Sequence, residues 1–132
     1  MQDNAPPNIH STYLRLRPDS TVEKLPVDGS FWPRLMGGEL GDLHHEYLVT
    51  CYTYAQDWPS WECHPNGDEI VVMLSGRATF MLESAGGTTE LSLERAGDFA
   101  FVPRGTWHTA HTDVATTMLF ITASEGTLNR PA

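Results

Sequence analysis

The amino-acid sequence predicts an all-β domain whose short strands form an antiparallel barrel or sandwich. Segments rich in β-branched and aromatic residues are of strand length, and 11 glycines and 9 prolines recur between them. No segment of helix length separates these strands, so parallel crossovers are not expected and neighbouring strands run antiparallel. The 132 residues are predicted to form one domain over residues 1–132.

The first third of the chain is predicted to contain one strand and a long irregular stretch. Residues 1–10 are interpreted as a mobile N-terminal arm, and an outer strand follows at 12–17, closed by a Pro-Asp-Ser turn. Residues 26–45 contain repeated glycines and prolines, and loops with short extended pieces are expected there.

The rest of the chain has a clearer strand pattern. The predicted strands occupy residues 46–55, 69–74, 77–82, 88–93, 99–102 and 116–122. The connections at 75–76 and 84–87 are short, as expected between antiparallel neighbours. Phe99, Phe101 and Met118 are assigned to the core by default.

Several of these strands are apolar on both faces, notably 70–74 and 118–121. Their outer faces are covered either by a second sheet or by another subunit, and the latter predicts a homodimer.

The composition argues against two classes of partner. Eight Lys and Arg against seventeen Asp and Glu give a net charge of −9, which repels phosphate backbones and anionic lipids. No window approaches the roughly 20 apolar residues that a membrane helix needs. With two cysteines, the chain does not resemble a disulfide scaffold. A cytoplasmic protein without a nucleic-acid or membrane partner is predicted.

Four side chains have the spacing of a metal site. Glu62 and His64 lie at i and i+2, so an extended chain points both to one face of a sheet. Residues 65–68 form a turn, after which Glu69 returns a carboxylate to the same region. His108 follows a second turn. Two imidazoles and one or two carboxylates suit a divalent ion such as Fe, Mn, Ni or Zn.

The first of these motifs resembles the cupin pattern of Gly, five residues, His-x-His, three or four residues, Glu, six residues and Gly. His64, Glu69 and Gly76 match it. The sequence departs at two places: Glu62 stands where the first His is expected, and Gln56 replaces the initial Gly.

The second motif resembles its cupin counterpart at every spacing. Gly97, five residues, the Pro-Arg-Gly turn at 103–105, two residues and His108 all match, whereas Thr112 replaces the terminal Asn. The two motifs also occur in the order found in the family.

The resemblance to a small, single-domain cupin of bacterial type implies an antiparallel jelly roll, or double-stranded β-helix, with the site inside the barrel. It implies that His64, Glu69 and His108 are metal ligands. Glu62 either completes a site of two His and two carboxylates or weakens metal binding. Because cupins include isomerases, dioxygenases, decarboxylases and sugar-binding domains, the fold alone does not identify a reaction.

Two functions are compatible with this pattern. The first is a metal-dependent enzyme of the oxygenase or isomerase type that acts on a small organic molecule, with Glu62 as general base if it is not a ligand. The alternative is a non-catalytic module that binds a sugar or another small molecule without metal, or acts as a sensor.

Other residues near the motifs are assigned simpler roles. Trp61, Trp107, Met73 and Phe80 are assigned to the core by default, and they are also the candidate pocket walls. His111 is expected on the face opposite His108, since an odd spacing alternates sides on a strand.

Outside these positions, surface or structural roles are expected. His44 and His45 are assigned to the surface, and Asp68 to the turn. Cys63 is expected to be a small buried apolar residue.

Overall fold

The computed structural model describes residues 5–132, and residues 1–4 of the predicted N-terminal arm lie outside the described range. The described chain contains eleven strands and one short helix. In chain order they are β1 (Thr12–Leu16), β2 (Val22–Pro26), α1 (Phe31–Met36), β3 (Tyr47–Tyr54), β4 (Ser60–Cys63), β5 (Glu69–Ser75), β6 (Ala78–Ser84), β7 (Gly87–Leu93), β8 (Phe99–Val102), β9 (His108–His111), β10 (Thr116–Thr122) and β11 (Leu128–Pro131).

These strands form two antiparallel sheets, which confirms the predicted jelly roll. The six-stranded sheet has the order β2-β1-β3-β10-β5-β8, and the five-stranded sheet has the order β11-β4-β9-β6-β7. Every pairing between neighbours is antiparallel. Strands β2 and β11 were not predicted from the sequence.

The hydrophobic core lies between the two sheets. Alternate residues of β5 and β10 point inward, and Val71, Met73 and Met118 are completely buried. They pack in one cluster with Phe80 and Ala110 of the opposite sheet. This cluster fills one part of the barrel, which leaves the region around the predicted metal ligands to polar side chains.

The prediction of loops and short extended pieces over residues 26–45 is wrong at one place, because residues 31–36 form the short helix α1. Helix α1 anchors a second apolar cluster through Phe31, which is 1% exposed. The Phe31 ring packs edge-on against Tyr13, with centroids 5.2 Å apart. A six-residue helix is too short to show a helical period in the sequence. Within residues 5–132, no helix is both long and apolar enough to span a membrane.

The 75–76 connection does not join neighbouring strands, contrary to the prediction. Strand β5 belongs to the larger sheet and β6 to the smaller one, so the chain changes sheets here. Gly76 has φ +91, and a Cβ at this position would approach Thr116 Oγ1 and the Ala115 carbonyl oxygen to 2.6 Å. Glycine is therefore required at this corner. The predicted turn at 84–87 does form a hairpin, with Ser84 paired to Gly87.

Phe99 and Phe101 lie on the surface, not in the core as assigned from the sequence. Their exposed fractions are 59% and 50%, whereas Ala100 and Val102 between and after them are buried. Strand β8 is the edge of the larger sheet, and its register turns the small residues inward. The outer face of this sheet edge is consequently apolar.

Candidate metal centre

Two turns bring the metal-ligand motifs together. The Gly105 amide donates to the His64 carbonyl oxygen at 3.0 Å, and the Arg104 amide donates to Asp68 Oδ1 at 2.8 Å. The turn before Glu69 is thus joined to the turn before His108. Asp68 is exposed and has the structural role in the turn that the sequence analysis assigned to it.

The first turn also fits closely against the end of β10. A Cβ on Gly67 would approach the Cβ of Ala123 to 2.4 Å, so a larger residue would push the turn away. This contact fixes the chain between His64 and Glu69, which are the residues before and after the turn.

All four predicted ligands converge inside the barrel. His108 Nε2 lies 2.9 Å from Glu69 Oε1, and His64 Nε2 lies 3.3 Å from Glu69 Oε2. His64 Nε2 is 3.7 Å from Glu62 Oε2. One ligand atom from each of Glu62, His64 and His108 can be chosen so that all three lie within 4.8 Å of one another. The imidazoles of positions 64 and 108 therefore face one region.

The strand register explains this convergence. Glu62 on β4 is the direct cross-strand partner of His108 on β9. Glu69 pairs with Thr122 on β10, whose hydroxyl donates to Glu69 Oε2 at 2.5 Å. His64 lies two residues after Glu62 and points to the same side, as the i, i+2 spacing predicted.

Hydrogen bonds fix the tautomers of both histidines. His108 Nδ1 lies 3.1 Å from the Thr106 carbonyl oxygen, which can only accept a proton. His64 Nδ1 lies 2.9 Å from Thr127 Oγ1, whose own proton is donated to the Ser124 carbonyl oxygen. Each Nδ1 is therefore the protonated nitrogen, and each neutral imidazole presents the Nε2 lone pair to the site.

The inner atoms fit a cation better than they fit one another. The buried atoms His64 Nε2, His108 Nε2 and Glu69 Oε1 have no hydrogen bond of acceptable geometry. This holds even though His108 Nε2 and Glu69 Oε1 are only 2.9 Å apart. Ligand atoms bound at about 2.1 Å in tetrahedral or octahedral geometry lie roughly 3.0 to 3.4 Å apart. The separations of 2.9, 3.3 and 3.7 Å bracket that range. The donor set of two imidazoles and two carboxylates thus suits a divalent ion.

The charges within the site are strongly coupled. Burial raises the pKa of Glu69, but the contacts with His108 and His64 outweigh it and lower the pKa to about 2. Burial lowers the pKa of His108, and the Glu69 carboxylate outweighs this effect and raises it. Glu69 is consequently an anion at neutral pH, as a metal ligand must be.

Glu62 differs from the other three residues because its side chain is 35% exposed. Desolvation raises its pKa, and the negative charge of Glu69 adds to this effect. Glu62 also lines a cavity in the barrel. Glu62 therefore lies between the inner ligands and the open part of the barrel.

A cavity of about 660 Å³ is lined at the site by Glu62, His64 and Glu69. Its aromatic walls are contributed by Trp32, Tyr52, Tyr54, Trp58 and Phe120. Sequence reasoning missed all five. For Tyr52 and Tyr54 the sequence did contain a signal. They are two residues apart on β3, so both side chains lie on the same face of the sheet.

The walls differ from those predicted. Trp61 and Trp107 lie outside the cavity lining. Arg130 Cζ lies over both rings, 5.2 Å from the Trp61 centroid and 4.6 Å from the Trp107 centroid. Each precedes a candidate ligand by one residue, so strand alternation directs it to the opposite face. Met73 and Phe80 do not line the cavity either and are fully buried in the core cluster, which is their default assignment from the sequence.

The remaining histidines of the sequence analysis are on the surface. His111 is exposed and its Nδ1 lies 3.1 Å from Asp57 Oδ2. His44 and His45 are both exposed, and His44 Nδ1 lies 3.0 Å from Glu125 Oε2 at the cavity mouth. Cys63 is buried and unpaired, as predicted.

A family model of the cupin domain matches residues 51–123, which is more than half of the chain. The comparison with curated proteins gives no match. An oxalate oxidase structure is 17% identical with a TM-score of 0.53, and the match covers 62% of this chain and 45% of that chain. The oxalate decarboxylase of Bacillus subtilis, described with Mn(II) centres, is 19% identical with a TM-score of 0.51. That match covers 65% of this chain and 23% of the decarboxylase. These likenesses concern the fold.

Proposed function

The chain belongs to the cupin family, and from this premise we propose that it binds one divalent metal ion in its barrel and acts there on a small organic molecule, by oxygenation or isomerisation. One observation carries the proposal. The buried Nε2 atoms of His64 and His108, whose tautomers are fixed, converge on the Glu69 carboxylate without an aligned hydrogen bond. Two lone pairs beside an anion repel one another unless a cation or a proton lies among them.

The ligands we propose are His64, Glu69 and His108, with the Glu62 carboxylate at the outer side of the ion. Fe, Mn, Ni and Zn all accept imidazole and carboxylate ligands. The Mn(II) centres of the Bacillus subtilis cupin support Mn as the first ion to test. When bound, such an ion polarises an oxygen atom of the substrate.

If its carboxylate does not bind the ion, Glu62 is the residue we propose for proton transfer. It lines the cavity and is partly exposed. Its pKa is raised above that of an ordinary carboxyl group, toward neutral pH. A carboxylate whose pKa is raised is a better proton acceptor near neutral pH. Its Oε2 atom lies 3.7 Å from His64 Nε2, and the residue lines the cavity, so it can take a proton from a substrate held beside the ion.

A second candidate is a metal-free binding module. The contact of 2.9 Å between His108 Nε2 and Glu69 Oε1 becomes an ion pair if the imidazole is protonated, and this pair would satisfy both groups without a metal. In this case the cavity would hold a small molecule without transforming it.

Metal analysis decides between the two candidates. We expect about one Mn(II) per chain after loading and desalting, and its loss in His64→Ala and His108→Ala, because each removes an inner ligand. His111→Ala is the matched control, since this exposed histidine lies on the other face and should leave the metal content unchanged. Equal metal content in all four proteins would contradict the proposal.

The exposed apolar edge of the larger sheet supports a homodimer. Phe99 and Phe101 are joined on the same outer face by Leu74 of the neighbouring strand, which is 40% exposed. Aromatic side chains of this size in one patch are typical of an interface. We propose that a second copy of the chain covers this patch.

The state of the cysteines supports a cytoplasmic location, which we also propose. Cys51 and Cys63 are both buried and unpaired. Free thiols of this kind are typical of a reducing compartment.

A further inference from the structure

The cavity wall carries an excess of negative charge. Among the described residues that line it, none is lysine or arginine, and four have carboxylates. These are Asp42, Glu62, Glu69 and Glu125. A positively charged ligand is attracted to this wall, and an anion is repelled by it.

The basic groups around the wall offset little of this charge. Arg15 lies close to Gly41 of the lining, but its guanidinium is paired with the Glu46 carboxylate at 2.8 Å. His44 Nδ1 is 3.0 Å from Glu125 Oε2, and an exposed imidazole adds a positive charge only when it is protonated.

A bound metal reduces the negative charge without removing it. The carboxylates of Glu62 and Glu69 both lie within 3.7 Å of His64 Nε2 and together cancel the charge of a divalent ion. The carboxylates of Asp42 and Glu125 remain. With a histidine at position 62, as in the cupin motif, the centre would keep one positive charge. The cavity therefore favours a cation with or without the metal.

The carboxylates and the aromatic part of the wall act on the same space. Glu69 is 2% exposed, and its Oε1 atom is buried without a hydrogen bond. Burial raises the pKa of Tyr54, and the negative charges of Glu62 and Glu69 raise it further. Charges inside a cavity are screened less than charges on the surface. A ligand beside the Tyr54 ring is thus within reach of these carboxylates.

The aromatic rings form a continuous curved surface. The ring centroids of Trp32 and Tyr52 are 5.7 Å apart, those of Tyr52 and Tyr54 6.0 Å, and those of Tyr54 and Trp58 5.5 Å. The planes of these neighbours are inclined by 32°, 46° and 46°, so the rings do not lie in one plane. The faces of such rings attract organic cations, and tryptophan does so most strongly.

Rings and carboxylates together select for charge. Rings alone would also accept an uncharged molecule by dispersion. An uncharged ligand would, however, displace water from the carboxylates without balancing their charge, which is costly. A cation with an apolar part satisfies both features of the wall.

We propose that the ligand of this cavity is an organic ammonium cation, whose apolar part packs on the aromatic wall and whose charge is balanced by the carboxylates of the lining. The volume of about 660 Å³ is within the range of small-molecule sites, roughly 300 to 1,000 Å³. The proposal deepens the proposed function and rests on it, because it names the charge class of the molecule on which the same centre acts.

Calorimetric titration at low ionic strength, after loading with Mn(II), tests the charge class with matched probes. Choline carries a trimethylammonium group, 3,3-dimethylbutan-1-ol has the same shape with a neutral carbon in place of the nitrogen, and 3,3-dimethylbutanoate is an anion with the same hydrocarbon head. We expect choline to bind about tenfold more tightly than the alcohol, and the anion to bind more weakly than either. Added salt should weaken the binding of choline and leave that of the alcohol unchanged.

The Asp42→Asn variant isolates the contribution of one carboxylate. Asp42 Oδ1 accepts a hydrogen bond from the His44 amide at 2.9 Å, and asparagine retains this acceptor while it loses the charge. The variant should reduce the affinity for choline about twofold to fivefold and leave that for the alcohol unchanged. Asp19→Asn is the matched control, because Asp19 Oδ1 accepts from the Thr21 amide at 3.0 Å and lies outside the cavity lining.

The Trp32→Leu variant isolates the contribution of one ring. Trp32 is 41% exposed and lines the cavity, so leucine keeps an apolar side chain on α1 and removes the aromatic face. The preference for choline over the alcohol should fall about twofold to fivefold. Trp61→Leu is the control, since Trp61 lies outside the lining. The probe comparison in the unaltered protein gives an independent answer if Trp32→Leu does not fold.

Binding of the alcohol or of the anion as tight as that of choline would overturn the proposal. Metal content, measured on the same samples, separates this failure from that of the proposed function. A protein that holds Mn(II) but does not prefer choline contradicts only the ligand class. A protein that takes up no metal but prefers choline contradicts only the metal-dependent function.

Discussion

Replacing Thr127 by valine tests how the protein prepares His64 for a metal. Thr127 Oγ1 lies 2.9 Å from His64 Nδ1 and donates its own proton to the Ser124 carbonyl oxygen, so it accepts from the imidazole. Valine has nearly the same shape but no lone pair. In the variant, the Nδ1–H donor of His64 therefore has no acceptor. Because His64 is only 4% exposed, water does not replace the lost partner.

The expected magnitude follows from this lost hydrogen bond. Removing a residue that orients a metal-binding histidine lowers metal affinity about 10-fold to 100-fold. This corresponds to about 1.4 to 2.8 kcal/mol of binding free energy. In the metal-free protein, the unpaired Nδ1–H of His64 should also lower the free energy of unfolding by about 1 to 3 kcal/mol.

The assay is competition for Mn(II) against a fluorescent chelator, together with urea denaturation of the metal-free protein. Thr127→Ser keeps the hydroxyl and should retain most of the affinity. Thr53→Val serves as a control for the substitution itself, since Thr53 bonds to Thr117 on the exposed face of the sheet at 2.8 Å. Metal affinity in Thr127→Val equal to that of the unaltered protein would refute the reasoning about the tautomer.

Three further predictions concern other parts of the molecule. Arg130→Met should lower the free energy of unfolding by about 1 to 2 kcal/mol in urea denaturation, because it removes the cation that lies over two tryptophan rings and pairs with Glu83, and it should leave metal content unchanged. Phe101→Arg should convert dimers to monomers in sedimentation velocity, whereas Leu91→Arg, at an exposed apolar site of the other sheet, should not; a monomeric unaltered protein would contradict this prediction. Backbone hydrogen bonds from residues 94 and 95 lower the pKa of Asp98, so its charge stabilises the protein above the unfolded pKa near 3.8, and this stabilisation is lost as the pH falls through the lowered folded value. Asp98→Asn should therefore unfold at a lower temperature at pH 7 and approach the unaltered protein below pH 3.8; a constant difference across this range would contradict it.

Strands that are bounded by turn-forming residues on both sides were predictable from the sequence. β5 and β10 combine strand length, β-branched residues and bounding turns, and their predicted ranges differ from the observed ones by at most one residue. The register of β8 was not predictable in the same way. Its sequence, Phe-Ala-Phe-Val, is apolar at every position, so alternation does not indicate which pair faces the core.

The ligands of the candidate site were predictable because their spacing is local. Glu62 and His64 share a face through the two-residue period of a strand, and Glu69 follows a four-residue turn. His108 was assigned to the site because it follows a second turn, and the resemblance to a known family supported this assignment, since no local spacing relates His108 to the other three. It is the pairing of β4 with β9 that brings His108 opposite Glu62.

The cavity walls were not predictable because they depend on tertiary packing. Trp32 belongs to a short helix in a stretch without periodic signal, and Trp58 lies in a connection between strands. Their distance from the metal ligands is set by how these segments fold over the barrel. Proximity in sequence was misleading for Trp61 and Trp107, because residues next to a ligand on a strand point to the other face.

The central claim is that one cation is held by the side chains of His64, Glu69 and His108, with the Glu62 carboxylate at its outer side. Anomalous diffraction from a crystal grown with Mn(II) tests it most directly. We expect a single strong peak inside the barrel, within about 2.0 to 2.3 Å of His64 Nε2, His108 Nε2 and a Glu69 oxygen. A barrel without a peak, with His108 and Glu69 in direct hydrogen-bonded contact, would contradict the account.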